Sequence, residues 1–475
     1  METTSRQFRQ LSRHALEQAT LQHSLDGVRE IMPRIRAAAL AERGDFDALC
    51  DRARDIRERT LRQLDSYLEA FERRVQAAGG TVHWAATGEE ACRIVAQICR
   101  DAGAERLIKS KSMVTEEIEL NAALERDGFT VTETDLGEYI IQLRGEKPSH
   151  ILAPSLHVTL DEVAETFHQH HDIERSGPLT NATEMLAEAR SIMRDKFLQA
   201  DVGITGANFL VAETGAAVIV TNEGNADLTA SLPDTHIVVT GIEKAVPTLD
   251  DVGVLLRVLA RSAIGERLSN YTTFVHGPRR DGEASGPANY HVVLVDNGRS
   301  EMLGTEFQDM LRCIRCSACL NHCPVYTAIG GHAYGSVYSG PMGAVLTPAF
   351  AGLPAAAHLP NASTFCGRCE AVCPVRIPLP SLLRRWRQRE LNARPVMDGQ
   401  RFGLGLWRWL NHWPPAYSLA IRCAARVLRR LSVPGRGGQR WIRRLPLLGA
   451  AWTDCRDLPA PPGRTFQDEW RRRRS

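Results

Sequence analysis

Cysteine spacing constrains this chain more than any other feature. Seven of its twelve cysteines lie in two short cassettes. The first reads Cys313-x2-Cys316-x2-Cys319-x3-Cys323-Pro324, and the second reads Cys366-x2-Cys369-x3-Cys373-Pro374. The first is the run that bacterial ferredoxins use to hold iron–sulfur clusters. The second keeps the last three cysteines and the proline, with Ser363 where its first cysteine would be. The x2 spacing lets neighbouring thiolates wrap one corner of a cube, and Ser317, Ala318 and Gly367 leave room for amides to face it. The last cysteine of such a run ligates the other cluster, because the chain turns away at the proline. Cys313, Cys316, Cys319 and Cys373 are therefore expected at one cluster, and Cys323, Cys366 and Cys369 at a second, one cysteine short. The fourth position there stays open to the Ser363 oxygen, water, a small anion, a partner residue or a three-iron cluster. The Ser363 hydroxyl itself is expected to cap a turn.

Two other uses of cysteine fit less well. A structural zinc site needs two CxxC pairs, which leaves a third x2-spaced cysteine and both Cys-Pro endings surplus. Disulfide frameworks belong to small secreted domains, whereas this chain has 475 residues. Cys50, Cys92, Cys99, Cys423 and Cys455 share no ligand spacing and are expected to be buried or incidental thiols.

Hydrophobic content of 43% and charged content of 24% are ordinary for a soluble protein. A net charge of +2 gives no global field for nucleic acid. No run of 18 apolar residues exists, so no membrane-spanning helix is expected. Reduced thiols and the lack of a charged-then-apolar leader place the expected location in the cytoplasm, with any membrane contact peripheral at the inner face.

Four segments follow. Residues 1–78 are expected to be helical. There Leu61, Leu64, Leu68, Phe71 and Val75 recur at helical steps before Gly79-Gly80, a seam short enough to pack on its own domain. Residues 79–300 alternate short β-rich runs with amphipathic helices, which implies an α/β fold with a largely parallel sheet and functional loops beyond its strand ends. Expected strands include 81–84, 107–108, 129–131, 216–220, 237–240, 272–275 and 292–295, with a helix over 115–126 capped by Thr115. Residues 301–380 carry the cassettes, entered by a helix over 300–312. The stretch 326–365 is too rich in glycine and proline for long helices. Within it, His332 and Tyr334 are expected to pack around the clusters. Residues 381–475 turn basic. Arg384, Arg385, Arg387 and Arg389 lie beside Leu382, Leu383 and Trp386, followed by Trp407, Trp409, Trp413, Trp441 and Arg471 to Arg474. Such a tail suits docking to a partner or membrane face, or tryptophans covering the cluster domain.

Three polar clusters sit at expected strand ends: residues 109–117, with Lys109 and Lys111 able to receive an anion; residues 203–208 with 212–215; and residues 221–225. Glu213, Glu223 and Asn225 supply acceptors there. Turn chemistry explains the same residues equally well. No Gly-x-Gly-x-x-Gly or Walker lysine motif is present. His168, His170 and His171 crowd one segment but are expected to be a solvated helix end.

With these residues in view, the chain resembles the lactate-utilisation iron–sulfur cluster-binding proteins. The resemblance is carried by residues 109–117, 206–215, 221–225, 313–326, 329–335, 366–369 and 373–375, in that order. The gap at Ser363 is similar to the family's own pattern. The resemblance implies two [4Fe-4S] clusters, the second with three cysteine ligands. It implies oxidation of L-lactate to pyruvate by a three-protein complex in which this subunit passes electrons, to an acceptor expected to be quinone-linked. It also implies a lactate-utilisation domain similar to CoA transferases and ribose-5-phosphate isomerase, and a basic C-terminal domain. Two rivals are an α/β-domain enzyme acting on a CoA ester or sugar phosphate through Glu213 or Glu223, and an iron–sulfur sensor whose tail binds DNA. No nucleic-acid motif supports the latter.

Overall fold

The computed structural model describes residues 3–110, 112–173, 177–393, 399–435, 438–446, 449–454 and 456–474. They form two compact units, residues 1–391 and 392–475. Lys111 and Cys455 lie outside the described residues.

The larger unit begins with helices Phe8–Glu17, Ala19–Ala41, Phe46–Arg62 and Leu64–Ala77. The apolar seam crosses two of them: Leu61 ends one, and Leu64, Leu68, Phe71 and Val75 line the next. All five are buried against the chain's own sheet, in one core with Phe209, Val218 and Val246. Burying side chains of this size stabilises by about 1.5–3 kcal/mol each, which fixes the helices as part of the domain.

Ten strands follow: β1 (Thr81–Ala85), β2 (Arg106–Lys109), β3 (Thr130–Glu133), β4 (Val202–Thr205), β5 (Phe209–Val211), β6 (Ala217–Thr221), β7 (Thr235–Gly241), β8 (Ala245–Val246), β9 (Tyr271–Val275) and β10 (Asn289–Val295). Six form a wholly parallel sheet in the order β1-β10-β7-β4-β2-β3. The central strand β7 is buried along its whole length, and Ile237, Val238 and Val239 read as the continuous apolar run that a sheet covered on both faces requires. A second sheet, β8-β5-β6-β9, pairs β5 with β6 and β6 with β9 antiparallel. This is the expected α/β class with a parallel sheet.

Local expectations needed four corrections. Strands β4, β5 and β8 lay where polar loops or nothing had been expected. β4 is short, and its Gly203 hides the strand signal; the glycine is required because a Cβ there would meet Thr229 O at 1.9 Å. The helix over 115–126 is two helices, Met113–Glu117 and Leu120–Arg126, broken where Glu119 turns left-handed (φ 57°) as Ile118 drops into the core. Its cap is Ser112 rather than Thr115: the Ser112 side chain accepts from Thr115 N. Residues 300–312 contain only the 3-10 turns Ser300–Met302 and Gln308–Arg312. Conversely, the Gly/Pro-rich stretch holds a twelve-residue helix, Gly340–Ala351. Pro341 sits in its first turn, where a missing N–H costs nothing, and burial from Gly340 to Pro348 overrides weak propensity.

The smaller unit pairs helices Gly399–Asn411 and Pro414–Arg430 with a three-stranded antiparallel sheet of Val433–Pro434, Arg440–Ile442 and Leu458–Pro459, and with helix Phe466–Arg474. No helix among the described residues is long and apolar enough to cross a membrane.

His236 on β7 is fully buried and hydrogen-bonds Thr205 Oγ1 at 2.8 Å. Burial holds its pKa down at about 3. The unfolded ring, with its ordinary value near 6.5, therefore binds a proton that the folded ring refuses. Stability should fall as pH drops from about 6.5 toward 3, by up to about 1.4 kcal/mol per pH unit from this group. Urea unfolding between pH 7 and pH 5 should show a shallower decline for His236→Gln than for the wild type.

Candidate iron–sulfur centre and adjoining pocket

The two cassettes share one backbone. Arg315 (φ 59°) and Ser317 (φ 59°) flank Cys316, and Phe365 (φ 55°) and Gly367 (φ 80°) flank Cys366. Each is followed by one short helix, Ala318–Asn321 or Arg368–Ala371. A left-handed non-glycine residue costs about 1–2 kcal/mol, so three of them at matching places mark a conformation that the surroundings impose. Such alternation turns amides inward toward an anion. Cys313 Sγ accepts from Arg315 N at 3.5 Å, and Ser363 Oγ accepts the corresponding bond from Phe365 N at 3.2 Å. Ser363 therefore stands in the place of Cys313 and caps its turn as expected. Tyr326 N and Ile377 N donate to the sulfurs of Cys323 and Cys373 at 3.5 and 3.3 Å.

Thiols of both cassettes lie within electrostatic reach of one another. Burial pushes Cys316 and Cys319 well above the usual thiol range; Cys373 and Cys313 push Cys316 further, and Cys313, Cys316, Cys373 and Cys369 push Cys319 further. Burial raises Cys373 to about 11, with Cys313 adding to it. Burial raises Cys369 to about 12, helped by Cys323 and Cys366. Cys323 is raised by burial and by Cys366. Cys366 is exposed and is pulled down, first by the amide of Arg368. Thiolates so buried and so close repel one another unless cations sit among them, which is the chemistry of an iron–sulfur core. Among the described residues no three metal-binding side chains converge tightly enough for a single ion. A cube binds each thiolate to a different iron and asks for wider spacing. A small cavity lined by Cys323, Ser363, Cys366 and Cys369 opens beside the second set.

The first cassette is fastened to the sheet by a buried ionic cluster. Arg299, just past β10, reaches Glu117 at 2.6 and 2.9 Å and Glu243, just past β7, at 2.7 Å. Glu117 also accepts from Tyr338 Oη (2.5 Å) and Asn297 Nδ2 (2.7 Å). The Arg315 guanidinium lies 3.5 Å from Glu243 and 4.7 Å above the Tyr338 ring. Arg57, from the N-terminal helices, donates to the carbonyls of Glu243, Ala245 and Leu311. Burial alone would raise both carboxyls, but Arg299 holds Glu117 below its usual range, and Arg299, Lys244 and Arg315 hold Glu243 at about 2. Gly241 makes this approach possible, because a Cβ there would meet Glu243 Oε2 at 2.0 Å.

The three polar clusters expected at strand ends converge in part. Ser112, Met113, Asn208, Thr221, Glu223 and Asn225 line one cavity of about 280 Å³, together with Lys244 and Arg315. The cavity therefore reaches from the carboxyl ends of β2, β4 and β7 to the first cassette. Lys244 is 6% exposed; burial and then Arg315 bring its pKa down to about 8. Lys109 does not await an anion: it is buried with Glu116 at 2.9 Å and Glu133 at 2.8 Å, and these carboxylates hold it charged against burial. Glu213 is exposed, accepts from Leu249 N at 3.1 Å and is absent from the cavity lining, so it is not placed to act there.

The remaining candidates divide. His168 and His170 are exposed at the end of helix Leu160–His170, as expected, but His171 is a core residue, bonded to Tyr139 Oη (3.0 Å) and Glu188 (2.8 Å). Tyr334 is fully buried against Phe8, as expected, whereas His332 is exposed and bonds Lys147 O at 2.7 Å rather than packing around the cassettes. Cys50 and Cys99 are buried, Cys92 is half-buried and Cys423 is exposed. Arg384 and Arg387 lie over the Phe365 ring at 5.2 and 4.1 Å, and Trp386 stacks on Phe307 at 4.1 Å. Trp407, Trp409 and Trp413 are exposed. Sequence reasoning missed Glu243, Lys244 and Arg299. The available signal was charge immediately after the apolar runs of β7 and β10.

Comparison with known proteins agrees with this architecture. The LUD domain family matches residues 68–295, the 4Fe-4S dicluster domain family matches 309–377, and the family "Lactate utilisation protein B, C-terminal" matches 397–475. Lactate utilization protein B of Bacillus pumilus (strain SAFR-032) is 42% identical over 480 residues, covering 100% of this chain and 98% of its own. Its counterpart in Geobacillus thermodenitrificans (strain NG80-2) is 44% identical, covering 92% and 91%. That of Bacillus subtilis (strain 168) is 41% identical, covering 97% and 95%.

Replacing Arg299 with Met should cost about 3–5 kcal/mol, because Glu117 and Glu243 would keep buried charges without their main partner. Denaturant unfolding of the variant and the wild type measures it.

Proposed function

The chain belongs to the lactate utilization protein B family, and on that premise we propose that it is the iron–sulfur electron-transfer subunit of a complex that oxidises L-lactate to pyruvate. The observation that supports this reading is the repeated cassette backbone, whose left-handed residues and capping amides recur around Cys316 and Cys366, with thiols of both cassettes within electrostatic reach of one another. Cys313, Cys316, Cys319 and Cys373 would hold one [4Fe-4S] cluster and Cys323, Cys366 and Cys369 a second, and the pair supplies one-electron transfer when bound.

The chain's own residues prepare the two positions differently. Around the first set, Arg36 and Arg315 place positive charge within reach of Cys316, Cys373 and Cys313, which favours thiolates over thiols. Amides of Arg315 and Ile377 donate to sulfur. Leu320 is fully buried next to Cys319, whereas the fully buried Tyr326 and Tyr334 lie toward Cys323 of the second set. At the second set the exposed Cys366 and the cavity beside Ser363 leave the position open to solvent or to a partner. Nothing readable in the sequence accepts a hydride, so the complex would need further subunits for the chemistry at lactate carbon. Two other lactate-utilisation subunits are the proposed partners, with a quinone-linked acceptor and a cytoplasmic location, peripheral to the membrane if it touches one.

Anaerobic preparation with iron and sulfide counts and low-temperature EPR tests this. Cys319→Ser and Cys373→Ser, from opposite cassettes, should lose the same signal and about half of the iron. Cys366→Ser should lose the other signal, and Ser363→Ala should keep both. L-Lactate with the partner subunits should reduce the wild-type protein. Signals that lactate leaves oxidised with all partners present would refute the relay.

A further inference from the structure

We propose that the cavity between the strand ends and the first cassette binds a small organic monocarboxylate through Lys244 and Arg315. Its chemical class, a 2-hydroxy- or 2-oxo-acid, rests on the lactate-oxidation reading above; the site itself rests on the geometry.

The position is the first argument. The cavity lies beyond the carboxyl ends of β2, β4 and β7, where open parallel sheets hold their ligands, and its volume of about 280 Å³ suits a small molecule.

Lys244 is the second. Its side chain lines the cavity at 6% exposure, and its ammonium makes no hydrogen bond or ion pair among the described residues. Glu243, which attracts it, is also engaged by Arg299 and Arg315. A buried ammonium without a hydrogen-bonding partner is costly, and a bound carboxylate removes that cost. The buried carboxylates are outnumbered by the cations: Arg57, Arg299, Arg315 and Lys244 face Glu117 and Glu243, with the Cys313 thiol the further negative group within reach. Thiolates of the first set answer Arg315 on its cassette side, where its amide is 3.5 Å from Cys313 Sγ. Its guanidinium is shared with the cavity.

The rest of the lining limits the ligand. Asp135 and Glu223 also border the cavity, so a phosphoester or a CoA ester would bring extra negative charge toward carboxylates, with Lys244 and Arg315 the only cations among the described lining residues. Leu259 and Ile264 give an aliphatic wall for a short carbon body. One carboxylate on two cations, with its carbons against that wall, matches the cationic and aliphatic parts of the lining. Cys313 lies within electrostatic reach of both cations, so an acid bound here sits beside the first thiol set.

Equilibrium dialysis of the anaerobically prepared, iron-replete full chain against labelled L-lactate and pyruvate tests this, with lactamide and ribose 5-phosphate as contrasts. Both acids should bind, and lactamide, which lacks the charge, should bind at least about tenfold more weakly. Lys244→Met should weaken acid binding by about tenfold or more at unchanged iron content, and Lys244→Arg should recover part of it. Ala263→Phe, which fills the cavity and leaves both cations in place, should abolish binding. Saturating acid should shift the EPR signal that Cys319→Ser removes. No acid binding by the iron-replete chain, tighter binding of ribose 5-phosphate, or unaltered binding by Lys244→Met and Ala263→Phe would overturn the proposal. Clusters reduced by lactate with partners present, in a chain that binds no acid, would sink the site and spare the electron-transfer reading; acid binding to clusters that lactate never reduces would do the reverse.

Discussion

Arg299 and the two carboxylates it joins hold the molecule's functional end together. Its guanidinium spans Glu117 at one strand end and Glu243 at another, and through Glu243 it meets Arg315 inside the first cysteine cassette. All of these side chains are at most 9% exposed. Ion pairs buried this deeply add little net stability compared with apolar packing, yet losing one member is severe. The network therefore acts mainly on geometry. It permits one registry between the sheet and the cysteine loop, because any slip would strand a buried charge. Arg57 extends the same constraint to the N-terminal helices by capping carbonyls of Glu243, Ala245 and Leu311. Three stretches distant in sequence are thus fixed around the first thiol set.

The features legible in the sequence were those set by local pattern. The helical N-terminus, the parallel α/β class and strands such as β7 and β10 follow from periodicity and β-branched runs. The cassettes were legible because ligand spacing is a short-range property. What escaped was set by tertiary contact. β4 was hidden by Gly203, whose reason is a crossing backbone at Thr229. The helix Gly340–Ala351 forms in a segment of poor propensity because its first nine residues are buried. Lys109 looked like an anion receiver, and only the fold reveals Glu133, on a neighbouring strand, pairing with it. Lys244 and Arg299 carried no motif at all. Their meaning comes from the strand ends that bring them beside Arg315.

Ser363 shows how a repeat can be kept in backbone while it diverges in chemistry. The left-handed residues around Cys366 reproduce those around Cys316, and the Ser363 hydroxyl takes the amide that Cys313 sulfur takes in the other cassette. The fold thus preserves the loop without needing a thiol at its start. The change at this one position coincides with the most exposed part of the centre, where Cys366 meets solvent and a cavity opens along Ser363.

The two thiol sets are consequently not interchangeable. Net charge and solvent exposure are among the levers by which a protein sets the potential of an iron–sulfur cluster, and both differ here. Arg36, Arg315 and Lys244 place positive charge within reach of the first set. The second meets solvent through Cys366. Positive charge near one set and the exposed Cys366 at the other make the two unlike. The first set lies beside the cationic cavity of the α/β domain, and the second reaches solvent through Cys366. This difference arises from which strand ends carry cations and which cassette keeps its first cysteine.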